Sequence, residues 1–192
     1  EFAETDSKER YKWEGIGWYK SHWNIDAPDF AAMAELAFRK MANLLTSGMY
    51  YPYKMLVEFA QADPEAVREL FRMLYNEELP LAQRYTAFRE GFENYIKQRR
   101  KQETDQNRTL QHFQDLRAVM VYLTCEYPET YYLFKSRVFA AFRDRIGYVE
   151  EKPKQKSVVW KVESHTPMCR LILEEIQQPP ALMEMGRSPL DD

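Results

Sequence analysis

Apolar residues recur along most of this chain at the spacing of an α-helix. The clearest stripe follows the i, i+3, i+4, i+7, i+8 pattern and consists of Val67, Leu70, Phe71, Leu74 and Tyr75. The sequence Asp63-Pro64-Glu65 directly precedes it. This is a helix-start signal, because an Asp side chain accepts hydrogen bonds from the first turn and proline needs no N–H there. The pattern predicts an amphipathic helix that buries one face.

Two other segments predict helices at the centre of a bundle. Pro80 opens the longest predicted helix, whose apolar residues are spaced alternately by four and three, as is typical of helix against helix. Residues 110–127 are strongly apolar, and positions 120–123 are apolar nearly all round, which predicts a central buried helix. A further helix is predicted from Phe30 to a stop at Thr46-Ser47-Gly48.

The predicted fold class is all-α, a multi-helix bundle of seven to nine helices with at most one short strand or hairpin. Residues 131–134 are aromatic enough for that strand. The predicted organisation consists of four parts: a helical core domain (8–149), a charged linker (150–158), a C-terminal helix docking on the core (159–178) and a flexible exit segment (179–192). Because the chain begins with Glu1 rather than Met, we interpret it as a piece of a larger protein.

Composition narrows the class of protein without identifying a function. Hydrophobic residues make up 45% of the 192 positions, which is enough for a core and excludes wholesale disorder. The 27 Lys and Arg residues against 30 Asp and Glu give a net charge of -3, which is no signature of nucleic-acid binding but leaves a local basic patch open. Two cysteines make no disulfide framework, and the sequence has neither a signal peptide nor an apolar run of membrane-spanning length, so we expect a cytoplasmic protein.

The motifs of common enzyme classes are missing from the sequence. It contains neither GxxxxGK[ST] nor GxGxxG, and its three His residues lack metal-ligand spacing. We therefore predict no catalytic residue, no cofactor and no metal, and we expect the chain itself to hydrolyse neither ATP nor GTP. Cys125, on the apolar segment, is interpreted as a small core residue.

Two groups of residues are candidates for contact with nucleic acid. The first group is the basic end of the longest predicted helix and consists of Lys97, Arg99, Arg100 and Lys101. These cations either contact phosphates or, exposed to solvent, complement the helix dipole. The second group is the set of tyrosines around Pro52, namely Tyr50, Tyr51 and Tyr53. Their rings either stack on exposed bases or belong to the core. Both alternatives remain open for both groups.

Residues 112–118 combine polar and aromatic side chains. Asp115 and Arg117 are two positions apart, so on a helix they point in different directions. We therefore expect them to have separate partners.

Three pieces of the chain resemble a known family: HFQDLRAVMVYLTCEYPETYYLFK (His112–Lys135), MYYPYKMLVEFAQADPEAVRELFRMLYNE (Met49–Glu77) and YKWEGIGWYKSHWNIDAPDFAAM (Tyr11–Met33). They are similar to the N-terminal region of bacterial McrB-like proteins, the AAA+ nucleoside triphosphatases of methylcytosine-dependent restriction systems. The resemblance runs from about Tyr11 to Tyr148, with a further match around Met168–Ile176. It implies that a motor domain with its own Walker A motif follows this region, and it supplies no ligand-binding residue.

The leading interpretation is therefore a non-catalytic N-terminal module of a McrB-like restriction ATPase, for DNA target recognition or its regulation. The alternative is a protein-interaction or assembly module that contacts a motor ring, a nuclease subunit or another copy of itself. The expected partners are thus DNA, a downstream AAA+ motor domain or a nuclease subunit, and no membrane.

Overall fold

Residues 9–102, 110–149 and 156–177 are described by a computed structural model, and they contain eight α-helices. The helices are α1 (Tyr11–His22), α2 (Phe30–Phe38), α3 (Pro52–Ala62), α4 (Pro64–Tyr75), α5 (Leu81–Gln102), α6 (Leu116–Glu126), α7 (Ser136–Ile146) and α8 (Trp160–Gln177). No strand occurs in these ranges, and residues 131–134 form none. The predicted all-α bundle of seven to nine helices is confirmed.

The chain divides into two compact units, Glu1–Leu133 and Phe134–Asp192. Helices α1 to α6 belong to the first unit, and α7 and α8 belong to the second. The structure thus groups α7 with α8, whereas the sequence predicts that residues 136–146 belong to the core domain.

The four domain ranges drawn from the sequence stay predictions. Most of the predicted linker, residues 150–155, and the whole predicted exit segment lie outside the described residues.

Helix α4 begins as the sequence predicts. The Asp63 carboxylate accepts a hydrogen bond from the Ala66 N–H at 3.0 Å, and Pro64 is the first helical residue. Such a cap satisfies an N–H group that has no partner within the helix, and it stabilises the helix by about 0.5–2 kcal/mol.

The central buried helix is confirmed, but its predicted start at residue 110 is wrong. Helix α6 begins at Leu116, because the Asp115 carboxylate caps it by accepting the Ala118 N–H at 3.0 Å. Phe113, with φ 57°, has a left-handed backbone that a right-handed helix excludes. All eight residues from Ala118 to Cys125 are buried. Cys125 is a core residue, as interpreted, and burial raises the pKa of its thiol.

Helix α2 ends earlier than predicted. It stops at Phe38 and passes into a 3₁₀ turn at Arg39–Met41, with hydrogen bonds from Ala42 N–H to the Arg39 carbonyl and from Leu44 N–H to the Met41 carbonyl. These tighter turns accompany the burial of Met41, Leu44 and Leu45 in the core. The predicted stop at Thr46-Ser47-Gly48 is therefore wrong for the α-helix.

Phe71 of α4 lies at the centre of the core of the first unit, and it is fully buried. Six rings have centroids 5.0 to 6.4 Å from its own: Trp23, Phe30, Phe38, Tyr75, Phe88 and Tyr122. These rings come from α2, α4, α5, α6 and the residue directly after α1. One aromatic cluster therefore joins the helices that carry the candidate site.

Candidate functional site

A cleft of about 570 Å³ lies along α5 in the first unit. One wall comes from α5 and the other from the extended segment 110–115, and we call this feature the α5 cleft. The α5 wall consists of residues that share one helix face: Tyr85, Arg89, Glu93, Ile96, Lys97 and Arg100. The cleft therefore borders the basic end of the longest helix.

Lys97 and Arg100 supply the positive charge on the α5 wall. They are three positions apart, so they are neighbours on the helix surface. Arg100 donates from one guanidinium nitrogen to the Leu110 carbonyl at 2.8 Å, which joins the helix end to the opposite wall. Lys97 is exposed and has no hydrogen-bond or ion-pair partner among the residues that the structure describes. Among those residues, Lys97 is the cation of the α5 wall without a protein partner.

The two carboxylates that line the cleft have donors of their own. Glu93 forms an ion pair with Arg89 at 2.9 Å. Asp115 accepts from the Tyr50 hydroxyl at 2.7 Å in addition to capping α6. The ion pair offsets the charge of Glu93, whereas Asp115 is hydrogen-bonded by neutral donors and keeps its negative charge.

The wall opposite α5 has a fixed backbone. Phe113, at φ 57°, lies in the left-handed region, which costs a non-glycine residue on the order of 1–3 kcal/mol. The fully buried Gln114 holds this conformation: its amide nitrogen donates to the Pro52 carbonyl at 2.9 Å and to the His112 carbonyl at 3.1 Å. Its amide oxygen accepts from the Tyr122 hydroxyl at 2.8 Å. The segment is therefore rigid where it faces the cleft.

A smaller cavity of about 110 Å³ lies on the other side of the same segment. Leu110, Gln111 and Phe113 line both spaces. The smaller cavity also contains Arg99, which forms an ion pair with Glu58 of α3. Arg99 is thus held against the protein rather than turned toward the α5 cleft.

The structure separates the four cations that the sequence grouped as phosphate contacts. Lys97 and Arg100 line the α5 cleft, whereas Arg99 lines the smaller cavity. Lys101 is exposed at the end of α5 and lines neither space. Contact with phosphates stays a prediction for all four.

The three candidate tyrosines have different surroundings. Tyr50 donates to Asp115, and burial together with this hydrogen bond raises the pKa of its hydroxyl. Tyr53 lies within α3 and donates to the Glu35 carbonyl at 2.9 Å. Tyr51 is exposed, lines the smaller cavity and packs edge-on to Phe113 with ring centroids 5.8 Å apart. Stacking by the three stays a prediction, and Tyr51 has the most accessible ring of them.

Asp115 and Arg117 have separate hydrogen-bond partners, as expected. Asp115 accepts from Tyr50 and Ala118, whereas Arg117 donates to the Leu44 carbonyl at 3.3 Å. The Arg117 guanidinium also lies 4.7 Å from the centre of the Tyr50 ring. Tyr50 therefore contacts both charged side chains and links the start of α6 to the loop before α3.

Sequence reasoning missed Phe113 and His112 as wall residues, because it placed both inside a helix. The available signal was Asp115, a good N-cap residue that marks the true start of α6. The residues before such a cap are free to adopt the extended and left-handed conformations seen here.

His112 is held in the neutral form. Its Nδ1 accepts the Gln114 N–H at 2.9 Å, and its Nε2 lies 4.0 Å from a Glu93 oxygen. Burial lowers the pKa of His112; Arg89 also lowers it, while Glu93 and Asp115 act in the opposite direction. The imidazole therefore contributes a hydrogen-bonding wall rather than a charge.

The lowered pKa of His112 predicts a loss of stability in mild acid. The unfolded chain binds the proton more readily than the folded one, so this contribution is complete above pH 6.5 and is lost as the pH falls through the folded-state pKa. We expect His112→Asn, whose side-chain oxygen can replace Nδ1, to reduce the fall in unfolding free energy between neutral pH and mild acid. Urea titrations of both proteins at several pH values give the free energy of unfolding at each pH. An equal fall of that free energy in both proteins between neutral pH and mild acid would refute the prediction.

Within the described ranges, no three His, Cys, Asp or Glu residues are grouped so that they could hold a metal ion. None of the described helices is both long and apolar enough to cross a membrane.

Searches of protein-family models, of curated proteins and of solved structures find no match to this chain. The McrB-like resemblance therefore stays a prediction.

Proposed function

We propose that this chain is a non-catalytic N-terminal module of a McrB-like restriction ATPase and that it contacts DNA through the α5 cleft. The observation that carries the proposal is the position of Lys97 and Arg100, one helical turn apart on a wall of that cleft. Most contacts between proteins and DNA go to phosphate and sugar, and they position the protein without reading the sequence.

The local charge of the cleft supports the proposal despite the net charge of -3. Arg89 and Glu93 neutralise each other, and Asp115 is satisfied by donors from Tyr50 and Ala118. Lys97 and Arg100 outnumber Asp115, so the lining of the cleft has a net positive charge. Arg100 uses one nitrogen on the Leu110 carbonyl, and a guanidinium carries five N–H donors, so others remain for a phosphate.

Replacing both Lys97 and Arg100 by alanine should weaken DNA binding evenly across sequences. Each phosphate contact contributes about 0.9 to the slope of log affinity against log salt, so the double variant should lower that slope by roughly 2. Fluorescence anisotropy of a labelled oligonucleotide over a range of salt concentrations measures both quantities.

A matched control separates a local effect from the loss of net charge. Lys161 and Arg170 are exposed on α8, and their replacement by alanine removes the same two types of charge. We expect this control to keep the salt slope of the wild type. Equal losses in the two double variants, or a wild type without DNA affinity at low salt, modified cytosine included, would overturn the proposal.

A protein-interaction or assembly module is the second candidate function. It is favoured by three exposed apolar residues at intervals of four on α7, Val138, Phe142 and Ile146. This spacing puts them on one face of the helix, as in helices that dock on a partner. A motor ring, a nuclease subunit or a second copy of the chain would be the partner, and absence of DNA binding would favour this role.

A further inference from the structure

The two walls of the α5 cleft offer different chemistry. The α5 wall presents the cations Lys97 and Arg100. The opposite wall includes Gln111, which is exposed, and Phe113, which is half-buried. A nucleotide has the same division, with a charged phosphate at one end and an apolar base face with hydrogen-bonding edges at the other.

The size of the cleft favours an unpaired nucleotide over a duplex. About 570 Å³ lies within the range of 300–1,000 Å³ that is typical of small-ligand sites. A duplex keeps its base faces stacked inside and offers proteins only groove edges and backbone. A base of a duplex reaches an aromatic wall within a recess only after it is unpaired and unstacked, at a cost in free energy that a single strand largely avoids.

The aromatic wall is formed before any ligand arrives. Three hydrogen bonds of Gln114 fix the backbone beside Phe113, and the rings of Tyr50 and Tyr51 pack against Phe113 with centroids 6.1 and 5.8 Å away. A prearranged site loses little conformational freedom on binding, so more of the interaction energy appears as affinity.

We infer that the α5 cleft receives an unpaired nucleotide of single-stranded DNA, with its phosphate at Lys97 and Arg100 and its base against Phe113. This inference rests on the proposed function and adds that the bound DNA is single-stranded. Gln111 is placed to hydrogen-bond the base edge, since it lines the same wall and is exposed.

The test compares a single-stranded oligonucleotide, a duplex of equal length and a deoxymononucleotide on the whole chain. We expect the single strand to bind at least about tenfold more tightly than the duplex, in line with the energy of base stacking on an aromatic side chain. Phe113→Leu should weaken single-strand binding by roughly 5- to 150-fold, while Phe113→Tyr, which keeps the ring, should stay within about twofold of the wild type.

Phe113→Leu should lower the affinity for single-stranded DNA by a larger factor than the affinity for the duplex. Circular dichroism shows whether that variant folds, and Gln111→Ala, an exposed change on the same wall, gives a second variant that should weaken single-strand binding severalfold.

The outcomes separate this inference from the proposed function. Equal affinity for single strand and duplex, both reduced by Lys97→Ala/Arg100→Ala, overturns the inference and leaves the proposed function in place. Absence of binding to either form overturns both. A mononucleotide that binds as tightly as the oligonucleotide also overturns the inference, because the site would then take a free nucleotide.

Discussion

Replacing Phe71 by alanine is expected to lower the free energy of unfolding by about 3–5 kcal/mol. Phe71 is fully buried, and its ring lies within 6.4 Å, centroid to centroid, of six other aromatic rings. Removing it leaves a cavity where the helices of the first unit meet, and rigid rings around it cannot collapse to fill the space. Denaturant unfolding followed by circular dichroism measures the change.

Met73→Ala is the matched control for Phe71→Ala, because it truncates an exposed side chain of the same helix. Surface changes of this kind usually stay within about 0.5 kcal/mol. Similar losses in the two variants would contradict the placement of Phe71 at the centre of the core.

Replacing Gln114 by leucine should lower the free energy of unfolding by about 3–5 kcal/mol, since three polar groups lose a partner and each such loss costs about 1–3 kcal/mol where the group is buried. Leucine has nearly the same volume but leaves the Pro52 and His112 carbonyls and the Tyr122 hydroxyl without the bonds that they have now. It also releases the backbone beside Phe113. We therefore expect lower stability in denaturant titrations together with weaker binding of single-stranded DNA.

Tyr122→Phe should partly rescue this variant, because it removes the hydroxyl that Gln114→Leu leaves buried without a partner. A double-mutant cycle should give a coupling of about 1–2 kcal/mol between the two positions. Gln111→Leu makes the same chemical change at an exposed position and should have little effect on stability. Strictly additive losses for Gln114→Leu and Tyr122→Phe would contradict the hydrogen bond.

The parts of the fold that follow from local chemistry were predictable. Helix α4 begins where Asp63 and Pro64 predict it, because both signals act within one turn. The buried part of α6 was also evident, since residues 118–125 are apolar or small on nearly every face and all are buried. Such features depend on residues that are close together in the sequence, so the spacing of the apolar residues is enough to predict them.

The walls of the α5 cleft depend on contacts between residues far apart in sequence. The left-handed backbone of Phe113 is held through Gln114 by Pro52 and Tyr122, and no local pattern signals those bonds. The pairing of Arg99 with Glu58 likewise needs α3 beside α5.

Helical geometry did offer one unused signal at the basic end of α5. Lys97 and Arg100 are three positions apart and share a face, whereas Arg99, two positions from Lys97, points elsewhere. The separation of Arg99 from the other cations could therefore have been anticipated, although its partner could not.

The most direct test of DNA contact at the α5 cleft is to map which backbone amide chemical shifts of the ¹⁵N-labelled chain change when DNA is added. We predict that adding a single-stranded oligonucleotide at low salt shifts the amides of residues 93–101 and 110–115, on the two walls of the α5 cleft. These changes should disappear in Lys97→Ala/Arg100→Ala and persist in Lys161→Ala/Arg170→Ala. Shifts confined to α7 and α8, or no shifts at a large excess of DNA, would contradict the claim that this cleft contacts nucleic acid.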